Sequence, residues 1–433
     1  MKWYDISEFV ILAVAMVSVP ISFHWTIWCL AALIANCVIK IVCGGGRYNK
    51  EKWWLWLPLA YWTLYLISIL WTENHEAGWT EIGQALPFAL FALWGLFSDL
   101  RYLSLKHIRQ LLWVLTLTLT VLFLTRSGIA LYRHRDALLP LDYFFEPDVF
   151  DPIHHIYLSL YLTTALAFLY REATEAWTNG APKGAKLLII FCAIATYSFT
   201  ICKNSRAAHV VLLLLAILVL CDQILFRKQW KCAIILAIGF LLLGWGTHKV
   251  IPTEQVHRTV LVANSGVEAT ANSQTTTPDH RIKINQKTLH AAFDNLPLGV
   301  GAGDRMDVLY DYYTPYEIVY ESSPKDPHNQ YSDTLLATGI VGFLLLCGIM
   351  LVIPILIVKR HWHQLRQGSN NWLVFTGMAI AIPATIALFE SILERQLGIL
   401  FFFLLYTFCT QILVNIADND ECQKKAIKKS PQI

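Results

Sequence analysis

The sequence is poor in charge. Only 15% of its 433 residues are Asp, Glu, Lys or Arg, against about a quarter in soluble domains. With 56% hydrophobic residues and a mean hydropathy of +0.47, that scarcity excludes a soluble globular class, because no single core hides so much apolar surface. No CxxC pair occurs, and no cysteine falls between residues 250 and 328, the longest polar stretch. Neither a disulfide framework nor a metal site is therefore expected, and no cofactor. The ten cysteines read as small membrane-helix hydrophobes. No GxxxxGK[ST] occurs, which argues against ATP drive, and GVGAG (299–303) lacks the strand-to-helix frame of a dinucleotide fingerprint. The opening MKWYDISEFV has no basic n-region with a cleavage site, so no removable signal peptide is expected. No solenoid-length repeat is visible. No paired half-segments interrupted by Gly or Pro occur in matching positions, which weighs against a transporter. Nothing points to nucleic acid as a partner.

What is present is a succession of apolar segments, near 7–20, 24–42, 54–71, 83–98, 107–125, 154–170, 186–202, 207–226, 232–247, 331–358, 371–389 and 396–416. These predict an all-α polytopic membrane protein with about twelve transmembrane helices. Several segments fall short of the ~20 residues that span comfortably. The first two are separated only by a tight turn at Pro20. Some of the 16 Trp and 18 Tyr are expected to form interfacial belts.

Orientation follows from the connections. With the N-terminus inside, the larger share of the 34 Lys and Arg lies in the predicted cytoplasmic pieces, although the outer loops are much longer. Both termini then face the cytoplasm. The expected organisation is a membrane region over 1–247, one large outer loop over 248–328, further spans over 329–416 and a basic tail over 417–433. Within the outer loop, VANSGVEATANSQTTTP (262–278) reads as a flexible linker. DHRIKINQKTLHAAF (279–293) reads as a short amphipathic helix with Asp279 as N-cap and apolar positions at Ile282, Leu289 and Phe293. NLPLGVGAGD (295–304) is a Pro/Gly turn cluster.

Charges at a membrane mouth are costly, and four outer groups ask for a reason. In ICKNSRAAH (201–209), Lys203 and Arg206 occupy a very short connection. They either snorkel to an interface or hold an anion, since a guanidinium fork bonds two phosphate oxygens at once. In HRIKINQK, Arg281 and Lys287 can share a helix face beside His280, while Lys283 lies elsewhere; the alternative is a solvated basic face. His328, between Pro327 and Asn329, stands where a charged loop becomes an apolar helix. Histidine exchanges a proton near neutral pH and fits a general base; the alternative is a residue that merely ends a loop. In ESILERQ (390–396), Glu390 and Glu394 share a face if the helix continues, next to Arg395; the alternative is a polar hairpin with one surface ion pair. LYRHRD (131–136) and DPIHH (151–155) add basic and imidazole groups to the same side, and CGGGR (43–47) reads as a cytoplasmic hinge.

The combination of Ser205-Arg206-Ala207 at a helix start, Gly299 to Gly303, His328-Asn329 and Gly339 to Gly342, with LISILWTENHEAGW (66–79) as an early polar turn, resembles the O-antigen ligase and polymerase superfamily. The resemblance implies a membrane glycosyltransferase fold of the GT-C type with a large periplasmic loop capping a cavity, in a bacterial inner membrane. It implies metal-independent transfer of a glycan from undecaprenyl diphosphate to an acceptor hydroxyl. Carried over by residue, Arg206 and Arg281 hold the diphosphate and His328 activates the acceptor; Lys203 and Lys287 can assist, with Asn329, His280, Glu390, Glu394 and Arg395 in support. The departing diphosphate charge is held by cations, and a single displacement inverts the anomeric centre. Lipid A–core is the favoured acceptor, in part because a basic outer face suits a phosphorylated core. A growing glycan is the alternative; a protein acceptor follows, because the chain ends in a short basic tail rather than an added outer domain. A transporter is the rival from another class.

Overall fold

The computed structural model describes residues 2–46, 48, 50–133, 155–202, 205–250, 278–313, 327–366 and 370–429. Among these, each of the twelve apolar segments is a helix. In chain order the helices are α1 (Trp3–Ser18), α2 (Phe23–Val42), α3 (Trp56–Ser68), α4 (His75–Phe97), α5 (Leu105–Arg133), α6 (His155–Thr178), α7 (Lys183–Cys202), α8 (Arg206–Cys221) and α9 (Trp230–Val250). Then come α10 (Pro278–Asp294), α11 (Arg305–Asp311), α12 (Gln330–Arg366), α13 (Asn371–Ile386) and α14 (Gln396–Lys429). Seven helices, α2, α4, α5, α7, α8 with its π-turn extension to Phe226, α12 and α14, are long and apolar enough to cross a membrane. The molecule is an all-α polytopic membrane protein. The linker 262–277, Lys203 and the DPIH stretch lie outside the described residues.

α14 is the axis of the bundle. Its run GILFFFLLYTF is apolar on every side, the signature of a helix surrounded by protein, and 94% of its apolar window is buried. Phe403 packs on Phe88 and Phe91 of α4, with ring centroids 4.6 and 6.0 Å apart, and Tyr161 of α6 meets Phe401 at 4.5 Å. α5, α7 and α8 show the opposite pattern: their windows are 28–39% buried, and Leu187, Ile194 and Leu213 point outward, as lipid-facing side chains do.

Most charges buried in the bundle are paired, as the low dielectric favours. At the end carrying the start of α1, Lys40 Nζ lies 2.8 Å from Asp5 and 2.9 Å from Glu8. Fully buried Glu8 also accepts from Trp94 Nε1 and from Ser98 Oγ. Glu172 is held there by Arg109 at 2.7 Å, by Arg171 and by Trp113 Nε1.

The opposite end is assembled by glycine. α12 breaks at Gly339 (φ 64, ψ −159), a conformation essentially confined to glycine. Ile340 N–H leaves the helix and donates to Pro297 O at 3.0 Å, while the carbonyls of Leu336 and Ala337 accept the N–H groups of Val300 and Gly301, both at 2.9 Å. The 297–301 strand of backbone thus substitutes for the missing helical bonds. A Cβ on Gly339 would lie 2.0 Å from Pro297 O. On its other side the same segment docks on the turn after α3. A Cβ on Gly301 or Gly303 would meet Thr72 Oγ1 or Asn74 O at 2.2 Å, and the Asp304 carboxylate accepts from Glu73 and Asn74 N–H, both at 2.7 Å. The glycine cluster and the 66–79 turn, far apart in sequence, are two halves of one contact.

α10 differs from its expected register. Pro278 starts the helix, and the buried positions are Ile284, Thr288, Ala291 and Ala292, while Ile282 (56% exposed) and Phe293 (61%) face outward. Thr288, Ala291 and Ala292 are small, which allows the close approach to α12, and Ile284 is buried on the same face.

Candidate active site

His328 is the last turn residue before α12. Its φ of 53° places it in the left-handed region, which reverses the chain between Pro327 and the helix. The next residues fix the helix start. The Asn329 side chain accepts from Tyr331 N–H at 2.9 Å and from Ser332 N–H at 3.3 Å, a capping bond that satisfies amides with no helical partner. Gln330 then ties the start of α12 to the α13–α14 turn. Its N–H donates to Ala387 O at 2.8 Å and its Oε1 accepts from Leu393 N–H at 2.7 Å. Glu390 lies between these two anchors, and its carboxylate oxygens sit 3.1 and 3.2 Å from His328 Nδ1. Both side chains are mostly buried, with 17% of His328 and 11% of Glu390 exposed. A carboxylate on Nδ1 sets the ring orientation and makes Nε2 the basic nitrogen of the neutral ring.

The helix does not continue through 390–394; a tight turn separates the two glutamates and gives each its own partner. Glu394 pairs with Arg305, the first residue of α11. Buried Arg305 also reaches Asp333 at 2.6 Å and Glu81 at 3.1 Å, so four elements, α4, α11, α12 and the α13–α14 turn, meet on one guanidinium. Asp333 is fully buried one turn into α12, and Tyr61 Oη meets Thr334 Oγ1 beside it at 3.0 Å. Arg305 was not among the sequence candidates. Its signal, a lone Arg in the polar-looking RMDVLYD, gave no hint of three distant carboxylates.

The other expected residues divide. α10 lies on the first turn of α12, where Ser332 Oγ donates to Asn285 Oδ1 at 2.7 Å, so the backbone carrying His280, Arg281, Lys283 and Lys287 is adjacent to the His328 corner. Lys287 Nζ stands 4.9 Å from the centroid of the Tyr313 ring. Arg206 begins α8, which packs along α13. Because Arg227, just beyond the other end of α8, donates to Asn371 at the start of α13, Arg206 lies at the Ile386 end, nearest Glu390. The side chains of Arg206, His280 and Arg281 lie outside the described part. Arg395 is exposed. A cleft of about 820 Å³ opens on the same end, and Glu73, Asp304, Asp307 and Asp311 line it. This end of the bundle therefore carries an acidic cleft as well as its basic residues.

Residues 187–347 match the family model described as O-antigen ligase. Over this segment the chain is similar to the O-antigen ligase superfamily. The matched segment covers under half of the chain, from α7 to the first half of α12. It includes Arg206, Arg281, Arg305, His328 and Asp333, and stops short of Glu81, Glu390 and Glu394. No curated protein matches the chain.

Proposed function

We propose that the protein is an O-antigen ligase, moving glycan from undecaprenyl diphosphate to a sugar hydroxyl of lipid A–core on the outer leaflet of a bacterial inner membrane. The observation that carries this reading is the His328–Glu390 pair at the start of α12, inside a chain whose matched segment belongs to that superfamily. Twelve membrane crossings with both termini cytoplasmic put this corner on the periplasmic side.

Glu390 holds the Nδ1 proton and aims the ring, and Nε2 takes the proton from the acceptor hydroxyl. The acceptor oxygen then bonds to the anomeric carbon as the bond from that carbon to the phosphate oxygen breaks. The electron pair leaves with undecaprenyl diphosphate. Arg206 and Arg281, on elements flanking the corner, hold that developing charge as a guanidinium fork suits. Energy for transfer is stored in the donor, so no nucleotide is required. Attack in one displacement inverts the anomeric centre.

The test is direct. Purified protein is offered undecaprenyl-diphosphate-linked glycan with lipid A–core. Glycan on lipid A–core, lost in Arg206→Ala, supports the ligase. Elongation of the glycan on its own carrier instead makes the protein a polymerase. No transfer to either acceptor overturns the ligase and polymerase readings alike and returns protein acceptors and transport to consideration.

A further inference from the structure

At the end of the bundle opposite His328, one buried cation is treated differently from all others. The buried Lys and Arg residues among the described side chains are Lys40, Lys52, Arg171 and Arg305. Lys40, Arg171 and Arg305 each contact carboxylates. Lys52 is only 3% exposed and has no ion-pair or hydrogen-bond partner among the described residues. It sits at a kink in the 3₁₀ turn Lys50–Leu55, just outside α3, and lines a cavity of about 430 Å³ between that turn, the end of α4 and the second half of α14. Gln411 of α14 lines the same cavity, is 1% exposed, and its amide oxygen has no hydrogen-bond partner among the described residues. An ammonium and an amide oxygen of this kind are expensive to bury dry, and no described residue pairs directly with either.

The cavity's remaining charge leaves Lys52 in surplus. Asp99 is committed to Arg101, whose Nη2 and Nε lie 2.6 and 2.9 Å from its oxygens. Exposed Asp418 is at the rim, and Lys50 adds a second ammonium to the wall. Burial, with Lys40 adding to it and Asp99 and Glu8 partly offsetting it, pushes the Lys52 ammonium down to about 8, and an anion in the cavity would stabilise its charged form.

We propose that this cavity binds a phosphate group at the membrane boundary away from the His328 site, held by the Lys52 ammonium and by Gln411 with its amide turned so that Nε2 donates to a phosphate oxygen. Lys52 supplies the compact point charge suited to a phosphate oxygen, and a basic pocket between membrane helices is open both to a lipid headgroup and to free phosphate. This site is independent of the glycosyl transfer reading.

The experiment uses the purified full-length protein. In detergent, its melting temperature is followed against inorganic phosphate, with chloride at equal ionic strength as reference. In parallel it is placed in nanodiscs of phosphatidylglycerol or phosphatidylcholine, and retained lipid is counted by native mass spectrometry. Phosphate, phosphatidylglycerol or both raise the melting temperature of the wild type. Lys52→Met abolishes the response or weakens apparent affinity at least tenfold, Gln411→Leu weakens it, and Lys186→Gln, an equal charge loss elsewhere, leaves it intact. A response to phosphate alone identifies a free anion; selective retention of phosphatidylglycerol identifies a headgroup. No response to either probe, or an unchanged response in Gln411→Leu and Lys52→Met, overturns the proposal. The wild-type comparison with chloride stands even if Lys52→Met does not fold.

Discussion

Nδ1 of His328 lies 3.1 Å from the carboxylate of Glu390, a residue 62 positions further along the chain. Nothing local brings them together; Gln330, bonded on both sides of Glu390, does. If Glu390 orients the ring rather than touching substrate, Glu390→Gln lowers kcat on the order of tenfold while KM for the donor stays near wild type, and Glu390→Asp recovers part of the loss. His328→Ala removes the base itself and costs about 10²–10⁴-fold. Equal effects on kcat and KM would contradict the orienting role.

Asn329 neighbours the proposed base, but its side chain caps α12. Asn329→Ala is expected to lower stability by about 1 kcal/mol, with Asn329→Ser close to wild type in both melting temperature and turnover. A large turnover defect in a fully stable Asn329→Ser protein would place Asn329 in the chemistry.

Arg305 balances Asp333, Glu394 and Glu81. Arg305→Met leaves a fully buried carboxylate without its cation and is expected to cost roughly 3–5 kcal/mol. Adding Asp333→Asn to that variant recovers part of the loss, because the uncompensated charge goes with it. Thermal unfolding of the single and double variants decides it; additive losses would mean the pair does not interact.

Much of this was legible in the sequence. Each apolar run became a helix, because hydropathy and length alone dictate helices in a membrane. The tight turn at Pro20 was visible, and Ile21 N–H closes it onto Ser18 O at 2.9 Å. What escaped was long-range. GVGAG read as a turn cluster, yet its glycines are there because Gly339, Thr72 and Asn74 approach too closely for a Cβ. Glu390 and Glu394 read as one helical face because their spacing is four, and spacing cannot reveal that Ala387 O is claimed by Gln330 and the helix ends. Ile282 and Phe293 read as buried because soluble-protein periodicity sends large apolar side chains inward; here Ala291 and Thr288 hold that place.

Gly339→Ala combines a backbone conformation that is nearly glycine-only with a contact to Pro297 O. It is expected to destabilise by at least ~1–3 kcal/mol and to lower turnover, because the same helix carries His328 at its start. A variant with unchanged melting temperature would show that the break at Gly339 is not required.

Lys52 gives a pH signature. Its folded value of about 8 lies below the ordinary lysine value of 10.5, so between these limits the unfolded chain binds more protons. In phosphate-free detergent, stability therefore rises with pH across that window and carries the full penalty below it. Relative to Lys52→Met, the wild-type melting temperature is expected to climb from about pH 8 toward 10.5. A parallel course for the two proteins would show that Lys52 is not held in a dry site.

The central claim is that His328 removes the acceptor proton at a corner built by α12 and the α13–α14 turn. The measurement that tests it most directly is the initial rate of undecaprenyl diphosphate release, with donor and lipid A–core present, in wild type and His328→Ala, alongside donor binding by each. The account expects donor to bind both proteins with similar affinity and release to fall at least a hundredfold in His328→Ala. Near-wild-type release from a His328→Ala protein that binds donor would contradict it.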